Sequence, residues 1–226
     1  MMIVVLAKEL KAVQRAQRQN YSKEFDTRIH RAISWLGRSE KETDDDDARF
    51  IFLWISFNSA YSLQDELFRN THTKERAEFG AFIDQLVRLD EARKLYDTVW
   101  RNFPGPIRAL FDNQYLFAPF WHFQNGYNGF EDWATSFAAA KRKSARALAK
   151  QDTILVLSMI FDRLYVLRNQ LLHGAATWNS GVNREQVRDG AAILGRLIPE
   201  VLEIMLNNHG ADWGRVRYPV IDISLN

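Results

Sequence analysis

The sequence predicts an all-α fold: an antiparallel bundle of helices about 15–25 residues long, with additional N-terminal and mid-chain helices. Two observations carry that prediction. Apolar residues recur at helical spacing through most of the chain. Punctuation is sparse, with 5 Pro and 11 Gly in 226 residues, which suits long helices and short connections. An apolar content of 46% is enough for a sizeable core, so residues 1–226 are expected to form a single helical domain.

Taken in order, residues 2–17 and 22–36 read as two amphipathic helices. The second is opened by Ser22 as its N-cap and carries Phe25, Ile29, Ala32, Ile33 and Leu36 on one face. A charged connector, 37–43, leads to the acidic run Asp44 to Asp47. Adjacent carboxylates lack the alternating ligand spacing of a calcium loop, and they favour the positive end of the helix that follows, so capping is preferred to metal binding. Residues 49–68 are apolar on nearly every side, the mark of a surrounded, central helix. Asn58 and Ser59 within it need partners, either on a neighbouring helix or beside a functional site.

Helix continues through 73–101, with a restart near Asp90, until Asn102-Phe103-Pro104-Gly105-Pro106 breaks it. Residues 107–129 crowd Phe111, Tyr115, Phe117, Phe120, Trp121, Phe123 and Tyr127 among Gly and Pro. They predict short helices and loops laid over the core as a packed flap; a base-stacking surface is the other reading. Residues 130–149 form a helix whose second half carries Lys141, Arg142, Lys143 and Arg146, either a solvated face or a strip that follows a phosphate backbone. Beyond a helix over 152–174 come a polar loop at 175–183 and a last long helix at 184–208, with a kink or restart expected at Pro199. An extended tail, 211–226, holds a candidate short strand.

The formal charge of +2 is too near balance for a general polyanion binder, although arginine outnumbers lysine 21 to 9. Without cysteine there are no disulfides, thiolate nucleophiles or zinc–thiolate sites, which fits a reducing compartment. Residues 3–7 are too short an apolar run for a signal peptide, and no stretch approaches a membrane span. A cytoplasmic location is expected.

Function is expected on the helix at 152–174. At about 100° per residue, it presents an apolar arc of Ile154, Leu157, Ile160, Phe161, Leu164, Leu171 and Leu172, with Arg168 in its middle. Beside the arc runs a polar stripe of Ser158, Asp162, Asn169 and His173. A guanidinium cannot deprotonate, so it belongs in a core only if an anion meets it there. Arg168 and His173 have Cα atoms about 7.5 Å apart along the axis and about 140° apart around it. Arginine offers a bidentate fork for phosphate, and histidine titrates near neutrality. With Asn169 one turn before His173, the set suits phosphodiester chemistry without a metal.

The segment Arg168-Asn169-Gln170-Leu171-Leu172-His173-Gly174 resembles the signature of HEPN domains (higher eukaryotes and prokaryotes nucleotide-binding), helical bundles that carry Arg-x4–6-His. Phe57-Asn58-Ser59-Ala60-Tyr61 looks like a segment of abortive-infection-type bacterial members. The resemblance covers 47–208 and implies an endoribonuclease that needs neither metal nor cofactor. It also implies a homodimer in which two motifs meet in one cleft. Carried over, Arg168 holds the scissile phosphate, His173 is the general acid or base, and Asn169 positions one of them. Asp162 and Asn58 are candidate orienters. The ribose 2′-OH is the nucleophile, which confines cleavage to RNA, and Lys141, Arg142, Lys143 and Arg146 serve as auxiliary backbone contacts. The implied setting is toxin–antitoxin or antiviral defence, with a cognate antitoxin protein as a further partner. Two other readings fit the residues. One is a non-catalytic HEPN-like module that binds a nucleotide or a protein. The other is a structural bundle with Arg168 paired to Asp162 or Glu66 and His173 acting as a cation at a helix C-terminus.

Overall fold

Side-chain hydrogen bonds to first-turn amides mark where several helices begin. The computed structural model describes residues 6–61, 72–181, 183–216 and 218–220. In α1 (Ala7–Gln17) the first amides are held by carboxylates: Leu6 N–H donates to Glu9 at 2.8 Å and Ala7 N–H to Glu40 at 2.7 Å. Ser22 Oγ accepts from Phe25 N–H at 3.1 Å and opens α2 (Lys23–Ser39), as its sequence predicts. Asp45 accepts from Ala48 N–H at 2.9 Å over the start of α3 (Asp46–Tyr61), so the acidic run does cap a helix. After α4 (His72–Leu89), Asp90 accepts the amides of Lys94 and Leu95 and starts the short α5 (Lys94–Asp97). A π-helical turn, Thr98–Asn102, follows.

Pro104 then opens α6 (Pro104–Asp112), since its missing N–H is one a first helical residue does not need. A 3-10 turn (Gln114–Leu116) and α7 (Ala118–Gln124) make up the aromatic layer. Next come α8 (Trp133–Ala149), α9 (Thr153–Leu172) with its amide end capped by Asp152, and α10 (Arg184–Asn207). The all-α class holds, and among the described residues no helix is long and apolar enough to cross a membrane.

Two expectations are overturned. The surrounded helix is α10, not α3. Its residues from Ile193 to Leu206 are buried apart from Gly195 and Glu203, and it touches α1 to α6 and α9. The apolar girth of α3 has another cause: one of its faces, with Ile51, Phe52, Ile55, Asn58 and Ser59, is only half covered by the chain. Asn58 is therefore not interior; the buried hydroxyl of α3 is Ser56, which donates to Ala32 O at 2.7 Å. The helix does not restart at Pro199 either: Pro199 lies inside α10, spanned on the buried side by the Arg196–Glu200 pair, 2.7 Å apart.

A single apolar cluster runs from Ala7 to Trp213. The tail is strapped to α2, where buried Arg28 donates to the carbonyls of Ala60, Gly214 and Arg215, and Arg31 to that of Tyr218. Most of the candidate strand at 218–225 lies outside the described residues.

Candidate functional site

The end of α9 is set by one backbone geometry. Gly174 has φ +71°, a conformation that costs a side-chain-bearing residue about 1 kcal/mol or more. With Gly174 turned this way, Ala175 N–H reaches Gln170 O at 3.0 Å and His173 N–H reaches Asn169 O at 3.0 Å. That pattern closes the carbonyl end of the helix and leaves His173 as the capping residue. The glycine after the histidine is thus what stops the helix beneath the imidazole.

The faces of α9 differ from those expected. Its buried side carries Val156, Leu157, Ile160, Phe161, Arg163, Leu164, Val166, Leu167 and Gln170. The arginine embedded there is Arg163, 6% exposed, not Arg168, which is half-buried at the border of the opposite side. Leu172, assigned to the apolar arc, is 44% exposed, and Tyr165 is 49% exposed. The open strip therefore reads Asp162, Tyr165, Asn169, Leu172 and His173, with Arg168 at its edge. The expected arc holds at Leu157, Ile160, Phe161 and Leu164, which are buried; the buried side extends beyond it because the aromatic layer covers Arg163, while the side with Leu172 is open among the described residues.

Arg168 bends back toward this strip. Its Nη1 donates to Asn169 Oδ1 at 2.8 Å, and its Cζ lies 5.9 Å from the centre of the Tyr165 ring. Its Nε is buried without an acceptor, and among the described residues it forms no ion pair. A guanidinium held by a neutral amide keeps its full charge for an incoming anion. Asn169 is on the same helical stripe as His173 one turn later, whereas the guanidinium itself lies near Tyr165, on the turn before Arg168. Asn169 Oδ1 is the acceptor that holds the Arg168 side chain in this direction.

Residues missed in the sequence fasten this helix end to its surroundings. Arg163 donates to Leu116 O at 3.1 Å and lies 4.8 Å from the Phe117 ring and 5.7 Å from Phe137. Burial lowers it to about 10, against the raising effect of Asp162, so it stays charged at neutral pH. Gln170, inside the motif, donates to Tyr115 O at 2.7 Å and accepts from Asn183 at 3.0 Å. The only sequence signal was their spacing: seven residues apart, they share one face of a helix. The loop after Gly174 is tied to the start of α3. Trp178 donates to Asp45 at 2.9 Å, and buried Asp47 accepts from Asn179 N–H at 3.0 Å and from Arg184 at 2.6 Å. Between this loop, α9 and α10 lies a cleft of about 10 Å³, room for roughly one water and no nucleotide.

The remaining candidates are spread out. Asp162 is exposed on the strip, and its charge acts on Arg163. Asn58 is half-buried on α3. Glu66 lies outside the described residues. Lys141, Arg142, Lys143 and Arg146 are all exposed on α8, with Lys141 paired to Asp112 at 2.7 Å. Comparison of the chain with known proteins gave no match to a family model, to a curated protein or to a solved structure.

Proposed function

We propose that the protein is a metal-independent endoribonuclease of HEPN type, acting in toxin or antiviral defence and restrained by a cognate antitoxin. The observation that carries this reading is the state of Arg168: a permanent cation at the edge of the open strip that also bears His173, held by an amide and by no carboxylate among the described residues. In the reaction Arg168 holds the scissile phosphate. One His173 takes the proton of the 2′-OH as that oxygen attacks phosphorus. The other, from a second copy, gives a proton to the departing 5′-oxygen, leaving a 2′,3′-cyclic phosphate and a 5′-OH. The homodimer brings the second motif; exposed Tyr165 and Leu172 beside Arg168 supply apolar surface for that contact.

Labelled RNA incubated with pure protein in EDTA is expected to yield fragments with 2′,3′-cyclic phosphate ends. Arg168→Ala and His173→Ala each abolish them, by about 100-fold or more, with the helical circular dichroism signal unchanged. Undiminished cleavage by His173→Ala rejects the assignment. A second reading, a non-catalytic module that docks a partner protein, is favoured by the same exposed Tyr165 and Leu172 together with Trp178, which is also exposed. It predicts a stable hetero-complex and intact RNA.

A further inference from the structure

Tyr165 is an exposed ring with a fixed back. It is 49% exposed on the open strip of α9, yet its ring centre lies 6.2 Å from that of Trp54, which is only 6% exposed. Trp54 in turn packs on Phe57 at 5.9 Å and on Phe161 at 6.3 Å, both buried. Tyr165 is thus the outer end of a row of rings that reaches into the core between α3 and α9. A phenol ring has only two side-chain torsions to lose, and bracing from behind already restricts them. A flat partner can therefore cover its open side at small entropic cost.

A cation stands beside it on the same helix. Arg168 follows Tyr165 by three residues, a spacing that makes side chains neighbours, and its Cζ is 5.9 Å from the centre of the Tyr165 ring. Among the described residues its hydrogen bonding is confined to Asn169 Oδ1, and its Nε is buried without an acceptor. The acid of the strip, Asp162, is about 9 Å before Arg168 along the axis. Ring and cation are thus side by side, one offering a π-face and the other unused donors. Phosphate takes such donors, and every nucleobase has a face that stacks on an aromatic ring. The gap between the two is one that a single sugar spans, so base and phosphate of one nucleotide can engage the pair together.

We propose that Tyr165 and Arg168 form a nucleotide subsite, in which a base stacks on the Tyr165 ring while its phosphate is held by Arg168. Tyr165 then places the strand by the base next to the scissile bond. The role at a scissile bond rests on the nuclease reading; the pairing of ring and cation rests on their contacts. Contact between the two copies is the competing use of the ring, and the test separates the two.

The test is isothermal titration calorimetry of the full-length protein with four probes: adenosine 3′-monophosphate, adenosine 5′-monophosphate, adenosine and inorganic phosphate. The tighter monophosphate is expected to bind at least about ten-fold better than adenosine or inorganic phosphate. Tyr165→Leu keeps apolar bulk against Trp54 but removes the flat ring. It should weaken that monophosphate at least about five-fold and leave inorganic phosphate within about two-fold, whereas Tyr165→Phe stays within about two-fold for both. Preference for the 3′ isomer puts the stacked base on the 5′ side of the scissile bond, and preference for the 5′ isomer on its 3′ side. A monophosphate bound no better than inorganic phosphate overturns the subsite. Equal weakening of both phosphates by Tyr165→Leu overturns the stacking role. A Tyr165→Leu protein that binds like its parent also overturns it, and a shift of that protein from dimer to monomer would then assign the ring to the contact between copies. RNA left intact in EDTA while the monophosphate binds through Tyr165 rejects the nuclease reading and leaves the subsite in place.

Discussion

Glu200 shows how one buried carboxyl ties stability to pH. It is enclosed between α10 and the π-helical turn, where both its oxygens are within 3.0 Å of Thr98 Oγ1 and one accepts from Arg196 at 2.7 Å. Burial raises it from an ordinary 4.5 to about 7, although Thr98 and Arg196 both pull the other way. Below pH 4.5 the group is protonated whether the chain is folded or not. Between 4.5 and about 7 the unfolded chain gives up the proton first, so this group's contribution to stability falls as pH rises and is lost above 7. The whole effect is on the order of 3 kcal/mol. Glu200→Gln cannot titrate, yet its amide can accept from Arg196 and donate to Thr98. Urea midpoints at pH 5 and pH 8 should therefore differ less for the variant than for the parent, with the variant gaining at pH 8; parallel midpoints would show that the carboxyl does not titrate in this range. Single residues were the least legible scale in the sequence. Arg168 and Arg163 are both arginines in an amphipathic helix, and only the covering layer decides which one is embedded.

Elements were read more securely, because their starts depend on neighbours in sequence: Ser22, Asp45 and Asp152 each hold an amide three residues on. Which helix lies at the centre could not be read, since an apolar surface looks alike whether covered by the same chain or left open. Close packing around α10 is a tertiary property that shows at two of its glycines. A Cβ at Gly190 would meet Phe50 at 3.0 Å and Leu164 at 3.1 Å, both fully buried, where α3, α9 and α10 cross. At Gly195 its one close contact would be the far end of the Arg49 side chain, at 2.9 Å, which can move aside, with Leu53 at an ordinary 3.8 Å. Alanine gains about 1 kcal/mol over glycine in a helix interior, but overpacking costs about 1–3 kcal/mol. Gly190→Ala is thus expected to lower the thermal midpoint and Gly195→Ala to hold or raise it; a stabilised Gly190→Ala protein would mean that the crossing is looser than these contacts imply.

At the scale of the molecule, the all-helical architecture was legible from periodicity, and the motif from seven adjacent residues, but the surface around them was not. The open strip on α9 and the half-covered face of α3 are places where the chain leaves apolar side chains unburied, and under the proposed function a second copy covers the former. Sedimentation should then give twice the chain's 26.4 kDa, and Leu172→Asp, which places a charge among those contacts, should shift the protein to monomer and reduce RNA cleavage at least ten-fold. A monomeric parent that cleaves at full rate would remove the need for a second motif. The consecutive carbonyls of Tyr115 and Leu116 are gripped by Gln170 and Arg163, two donors set about two helical turns apart on α9. One pin would leave the aromatic layer free to swivel; two pins on the same shaft do not. Any roll of that shaft must carry the two carbonyls it grips, and the rings of Tyr115 and Phe117 on either side of them, round with it.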